Sequence, residues 1–123
     1  RILNGYVYIA PSDYHLLIEK DLTFSLDYSE KINYSRPSID VTFQSAADAY
    51  GRNLTCLLLS GSNADGVNGL IAVEKHGGIT LVQNPASAQV SYMPEQAILK
   101  ADVSAILAIE DMADFINSLS TNN

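Results

Sequence analysis

Apolar and polar residues alternate in two short runs near the start of the chain, residues 15–19 and 22–26. Alternation with a period of two is typical of strands that bury one face and leave the other in water. Because only Lys20 and Asp21 separate the two runs, they predict a β-hairpin. An earlier run, residues 6–10, is rich in aromatic and β-branched residues and is stopped by Pro11, which predicts another strand.

A helical period replaces the alternation after Pro37. The apolar residues at this spacing are Ile39, Phe43, Ala46, Ala47 and Tyr50. Ser38 precedes them and is a good N-cap residue, Asp40 suits the positive end of a helix, and Gly51 supplies a stop. The pattern therefore predicts a helix that opens at Pro37 and Ser38 and ends at Gly51.

The rest of the chain alternates between strand and helix patterns. Residues 54–59 are nearly all apolar, as in strands that are covered on both faces in parallel sheets, and residues 79–82 and 105–107 predict further strands. Helices are predicted after Gly66, over residues 94–100 and from Asp111 onward. This order predicts the α/β class, with a doubly wound, mostly parallel sheet, flanking helices and the β-hairpin near the N-terminal side.

The composition narrows the range of functions. Of the 123 residues, 14 are acidic and 7 are basic, which gives a formal net charge of −7. Such a surface repels nucleic-acid phosphates, and no apolar stretch is long enough to span a bilayer, so neither a nucleic-acid partner nor membrane insertion is expected. The single cysteine, Cys56, lies in an apolar run and is interpreted as a core thiol, which favours a reducing compartment and a cytoplasmic location.

The segment of residues 60–66 follows the most apolar predicted strand and is the best place to look for a functional site. In open α/β sheets, catalytic groups gather beyond the carboxyl ends of the strands. Asp65 permits three interpretations: a cap of the helix that follows, part of a phosphate-binding loop, or a carboxylate that orients a catalytic histidine. The glycines match neither the dinucleotide pattern nor a P-loop, which disfavours phosphate. An orienting role calls for a carboxylate that is accessible at this rim; the loop alone leaves the choice open.

A complete catalytic triad within these residues is not expected. His76 is separated from Asp65 by eleven residues of predicted helix, which corresponds to roughly 16 Å, and nothing in the spacing brings His15 to the rim. No serine lies in a Gly-x-Ser-x-Gly elbow. The two histidines and one cysteine provide no ligand pair at short spacing, so neither a metal nor a cofactor is expected.

Five blocks of the sequence resemble consecutive blocks of the chemotaxis protein-glutamate methylesterases. They are residues 8–16 (YIAPSDYHL), 36–41 (RPSIDV), 59–66 (LSGSNADG), 77–88 (GGITLVQNPASA) and 93–98 (MPEQAI). Each block is modest by itself, but the five come in the family order, at plausible separations, and cover nearly the whole chain. The match is therefore specific.

The resemblance implies a doubly wound α/β protein that hydrolyses glutamyl methyl esters on chemoreceptors in bacterial chemotaxis signalling, with a Ser-His-Asp triad. Asp65 occupies the position of the family's aspartate and is predicted to orient the histidine, and the backbone N–H of Ser62 is a candidate oxyanion donor. Residues 1–123 would be the C-terminal part of a single methylesterase-like domain. The serine and histidine motifs would lie upstream, so this chain alone is expected to be inactive. The implied partners are the methylated chemoreceptor and regulatory domains, fused or associated.

The departures from the family pattern leave an alternative function. Gly61-Ser62-Asn63 replaces the family's glycine-methionine-glycine step, and a left-handed backbone would cost more at Asn63 than at glycine. A catalytically degenerate methylesterase-like domain that acts as a protein-interaction module in signalling is therefore the alternative. An unrelated nucleotide-binding α/β domain is a third hypothesis. His15 matches a family position other than that of the base and is assigned no catalytic role.

Overall fold

A computed structural model describes residues 1–32 and 35–119, and in these residues a hairpin precedes a parallel sheet. The hairpin pairs β1 (His15–Ile18) with β2 (Phe24–Asp27) in antiparallel orientation. In the sheet, β4 (Ile79–Gln83) lies between β3 (Thr55–Leu58) and β5 (Ala105–Leu107), and both pairings are parallel. The hairpin and the parallel sheet with its helices confirm the predicted fold class.

The helices of the described residues follow the strands as the sequence pattern predicts. They are α1 (Ile39–Tyr50), α2 (Val67–Lys75), α3 (Tyr92–Lys100) and α4 (Ile109–Leu119). Short 3-10 helices precede β3 and follow β4, at Gly51–Asn53 and Pro85–Ser87. Within residues 1–32 and 35–119, every helix falls short of the length and apolar character needed to cross a membrane.

The core lies where α1, α2 and α3 meet the sheet. Its buried members include Leu58 of β3, Leu70 of α2 and Val82 of β4. The helices α1 and α2 approach each other closely at Gly69, where an added Cβ would lie 2.6 Å from Cβ of Phe43. This contact brings the N-terminal ends of the two helices together, which positions the site described below.

Two expectations from the sequence pattern are wrong in detail. Residues 6–10 belong to no strand: Val7 is 93% and Ile9 is 89% exposed, and no described strand pairs with them. Strand-forming side chains are not sufficient, because a strand needs a neighbour for its backbone groups.

The helix expected over residues 94–100 begins earlier, at Tyr92, because Pro94 is tolerated in a first turn whose N–H groups lack intrahelical partners.

Candidate active site

The loop of residues 60–66 runs from the carboxyl end of β3 to the start of α2 and is tied to the neighbouring loop. The N–H of Ser60 donates to Oε1 of Gln83 at 2.9 Å, and Nε2 of Gln83 donates to the carbonyl of Ser87 at 3.2 Å. The N–H of Gly61 donates to the carbonyl of Val90 at 3.0 Å. These bonds join the loops after β3 and β4 into one rim.

Asp65 lies at this rim, but its carboxylate turns toward the start of α1. Its Oδ1 accepts from Oγ of Ser38 at 2.7 Å and from the N–H of Asp40 at 3.2 Å, while Oδ2 accepts from the N–H of Ile39 at 2.6 Å. The interpretation of Asp65 as a simple cap of the following helix is therefore wrong. Gly66 is the N-cap of α2, and the carboxylate of Asp65 instead accepts N–H groups at the N-terminus of α1.

Asp40 makes the reverse connection. Its Oδ1 accepts from the N–H of Gly66 at 2.9 Å and from the N–H of Gly69 at 2.7 Å, so Asp40 caps α2 although it belongs to α1. The sequence pattern placed Asp40 at the positive end of its own helix, and the residue does lie in the first turn of α1; the pattern did not reveal that Oδ1 accepts from α2. The crossed caps also disfavour phosphate binding, because donors at the start of α2 are directed at a carboxylate of the protein itself.

Gly66 is required at the turn between the loop and α2. Its φ is +106°, and an added Cβ would lie 2.6 Å from Cδ1 of Leu58 and 3.0 Å from Cγ2 of Ile39. An L-residue would meet both a strained backbone and two occupied positions. The close approach of this turn to β3 and α1 holds Asp65 beside Ser38.

A buried histidine stands behind Ser38. His15 is 1% exposed, and its Nδ1 accepts from the N–H of Ser38 at 3.1 Å. Because Nδ1 accepts, Nε2 carries the proton and donates to the carbonyl of Glu30 at 2.8 Å. The sequence reasoning did not connect His15, Ser38 and Asp40 with Asp65. The block of residues 36–41 was the available signal, since it contains two of these three residues.

The accessibility of Asp65 differs from the sequence expectation. The side chain is 3% exposed in this chain, so the expectation of an accessible carboxylate is wrong. The carboxylate of Asp65 is buried because α1 packs over the loop and directs three donors at its two oxygens. Burial by itself does not contradict an orienting role, because the aspartate of a Ser-His-Asp triad is typically buried and hydrogen-bonded.

Ser62 and Asn63 form the outer part of the loop. Ser62 is exposed, and its N–H donates to no acceptor among the described residues. Asn63 accepts the N–H of Asp65 on its Oδ1 at 2.9 Å, and its φ is not positive. The expectation of a left-handed backbone at Asn63 is therefore wrong, and asparagine at this position causes no backbone strain of that kind.

Other chemistry-bearing side chains are directed away from this loop or buried. His76 lies at the C-terminus of α2, where Nδ1 bonds the carbonyl of Ala72 at 2.8 Å and Nε2 approaches Oδ1 of Asp48 at 3.2 Å. Burial raises the pKa of the Cys56 thiol to about 12, which suits a core residue rather than a nucleophile. Within the described ranges 1–32 and 35–119, no group of three or more His, Cys, Asp or Glu could hold a metal ion.

The comparison with known proteins decides the family. Residues 1–116 match the family model described as CheB methylesterase. The chain belongs to the CheB methylesterase family. A crystal structure of the CheB methylesterase catalytic domain of Thermotoga maritima superimposes with a TM-score of 0.90 at 31% identity, over 94% of this chain and 62% of that chain. The likeness therefore extends to the fold.

Curated relatives of this CheB-type chain carry related names. One from Leptospira interrogans serovar copenhageni, named "Putative protein-glutamate methylesterase/protein-glutamine glutaminase", is 44% identical over 123 residues, which are all of this chain and 64% of the relative. The "Protein-glutamate methylesterase/protein-glutamine glutaminase 2" of Bordetella avium is 38% identical over 94% of this chain and 34% of its own length. The chain thus spans less than two thirds of these relatives.

Proposed function

We propose that the whole protein is a protein-glutamate methylesterase that hydrolyses glutamyl methyl esters on chemoreceptors. The observation that supports this most directly is the position of Asp65. It occupies the aspartate position of the family block, at the carboxyl rim after β3, and three donors hold its carboxylate in place. In this proposal Asp65 orients a histidine in one tautomer and stabilises the imidazolium that forms.

The proposed reaction needs groups that lie outside these residues. A serine attacks the ester carbonyl while the histidine takes its proton, and methanol leaves with that proton. Water then attacks the acyl-enzyme, the histidine again accepts a proton, and the glutamate carboxylate is released as the serine is restored. The N–H of Ser62 is proposed as a donor to the oxyanion, since backbone donors tolerate a change of side chain.

The same proposal extends to the domain and its partners. Residues 1–123 are the C-terminal part of a single methylesterase domain, and the serine and histidine belong to its upstream part. A methylated chemoreceptor is the substrate, and regulatory domains are fused to or associated with the enzyme. A cytoplasmic location accompanies this function, because the methyl-accepting glutamates would have to be reached there.

The test compares Asp65→Asn with Asp48→Asn in the whole protein. Asp48 is 60% exposed on α1 and serves as the matched control. We expect methanol release from a methylated receptor to fall roughly 10³- to 10⁴-fold for Asp65→Asn and to stay near the wild-type rate for the control. Unfolding curves of both variants define a temperature at which each is folded. Equal rates for Asp65→Asn and wild type would contradict the proposal.

A degenerate, non-enzymatic domain is the second candidate. The replacement of the family's glycine-methionine-glycine step by Gly61-Ser62-Asn63 favours it. A whole protein that binds a receptor but releases no methanol from its methylated form would support this candidate over the enzyme. The same assay therefore separates the two.

A further inference from the structure

Among the donors to Asp65 that lie in residues 1–32 and 35–119, Ser38 differs from Ile39 and Asp40 because it donates through its side chain. The N–H groups of Ile39 and Asp40 belong to the first turn of α1 and come with any helix that starts at this position. The hydroxyl of Ser38 donates to Oδ1 of Asp65 at 2.7 Å, and both side chains are buried. A substitution can therefore remove this donor and leave the backbone donors in place.

The hydroxyl proton of Ser38 is directed at Asp65 by its surroundings. Oγ of Ser38 also accepts from the N–H of Val41, at 3.4 Å, so the hydroxyl is the acceptor in one bond and the donor in the other. The backbone of Ser38 is fixed independently, because its N–H donates to Nδ1 of the buried His15. His15, Ser38 and Asp65 thus form a continuous buried chain from the hairpin to the loop after β3.

A carboxylate has a soft terminal torsion, so its orientation depends on the donors around it. We propose that Ser38 is a positioning residue for Asp65, which sets the rotation of the carboxylate that orients the catalytic histidine. This inference rests on the proposed esterase function. Ser38 does not touch the ester in this account; it acts through Asp65, and displacement of a catalytic group by about 1 Å can cost roughly 10²-fold in rate.

Ser38 is also the N-cap of α1, so the test must separate the cap from the donor. Glycine is nearly as good an N-cap as serine, whereas alanine is poor, and threonine keeps both the cap and the hydroxyl. The variants are Ser38→Gly, Ser38→Ala and Ser38→Thr in the whole protein. If the donor matters, the glycine and alanine variants lose activity alike and threonine restores it.

The matched control is Ser45→Ala. Ser45 lies on the same helix, accepts from the N–H of Ile18 at 3.0 Å and donates to the carbonyl of Thr42 at 2.8 Å, but it makes no bond to Asp65 in the described residues. Its loss tests the effect of removing a hydrogen-bonded serine hydroxyl from α1. We expect a lower melting temperature and a kcat near that of the wild type.

The expected result for methanol release is a fall in kcat of about 10- to 100-fold for Ser38→Gly and Ser38→Ala, with KM changed by less than about twofold. Ser38→Thr should return kcat to within about threefold of the wild type. A glycine variant with wild-type kcat beside an impaired alanine variant would assign the effect to the cap and overturn the inference. If the alanine variant fails to fold, the glycine and threonine pair decides.

The Asp65→Asn variant distinguishes failure of this inference from failure of the proposed function. If Asp65→Asn is inactive while the Ser38 variants match Ser45→Ala, the esterase function stands and Ser38 is only a structural residue. If the wild type releases no methanol, or Asp65→Asn retains full activity, the proposed function fails and the inference fails with it.

Discussion

The carboxylates of Asp40 and Asp65 cap each other's helices. Asp65, which precedes α2, accepts N–H groups at the start of α1, and Asp40, in the first turn of α1, accepts the N–H groups of Gly66 and Gly69 at the start of α2. Both side chains are buried, at 3% and 4% exposure. Each negative charge therefore faces the positive end of a helix. The position of the Asp65 carboxylate, which is proposed to be catalytic, depends on both caps.

Removal of the Asp40 carboxylate should destabilise the fold. In Asp40→Ala the buried N–H groups of Gly66 and Gly69 lose their acceptor, which should cost about 2–5 kcal/mol in the free energy of unfolding. Urea unfolding measures this loss, with Asp48→Ala as a control that should change stability by less than about 1 kcal/mol. A loss below about 1 kcal/mol for Asp40→Ala would show that the crossed cap contributes little.

A side chain at Gly66 should destabilise the turn, and Gly5 offers a control that also has a positive φ. Both glycines have positive φ, at +106° and +82°, but an added Cβ at Gly66 meets Leu58 whereas nothing lies within 4 Å at Gly5. Gly5→Ala should cost about 1–2 kcal/mol from backbone strain alone. Gly66→Ala should cost about 1–3 kcal/mol more because of overpacking. Equal losses in thermal or urea unfolding would contradict the close contact with Leu58.

The buried thiol of Cys56 should make stability fall at alkaline pH. Burial raises the pKa of Cys56 from 9.0 to about 12. Between these values the unfolded chain loses the thiol proton while the folded chain keeps it, so the unfolded state binds fewer protons and stability decreases as pH rises, by at most about 1.4 kcal/mol per pH unit. The stability gap between wild type and Cys56→Ala, measured by urea unfolding from pH 8 to pH 10.5, should shrink. A gap that is constant with pH would refute this account.

The proposed oxyanion donor can be tested through the backbone of Ser62. Ser62→Ala keeps the N–H and should retain near wild-type kcat in the whole protein, because the side chain is exposed and takes no part. Ser62→Pro removes the N–H and should lower kcat for methanol release by roughly 10²- to 10³-fold, provided that unfolding curves show a folded protein. A folded proline variant with full activity would remove Ser62 from the mechanism.

Much of the architecture could be predicted from local patterns. The alternation in residues 15–19 and 22–26 corresponds to the hairpin, and the apolar run of residues 54–59 corresponds to a strand of the parallel sheet. Ser38 as N-cap and Gly51 as the end of α1 follow from side-chain size and hydrogen-bonding capacity within a few residues. Such features depend on neighbours in sequence, which is why the sequence suffices for them.

Residues 6–10 are a segment whose structure the local sequence pattern does not predict correctly. Their aromatic and β-branched side chains favour a strand, but strand formation depends on a partner for the backbone, and no described strand supplies one. Their high exposure follows from the same cause. Propensity describes what a segment can form, while pairing decides whether it does.

Asp65 could be singled out from the sequence through its position after an apolar strand and through the resemblance to the methylesterases. Only the tertiary structure decided which N–H groups its carboxylate accepts. A carboxylate at a helix start can bind its own helix or another one, and the choice depends on how closely α1 and α2 pack at Gly66 and Gly69. Because the exchange with Asp40 joins residues 25 or more positions apart, no local spacing reveals it.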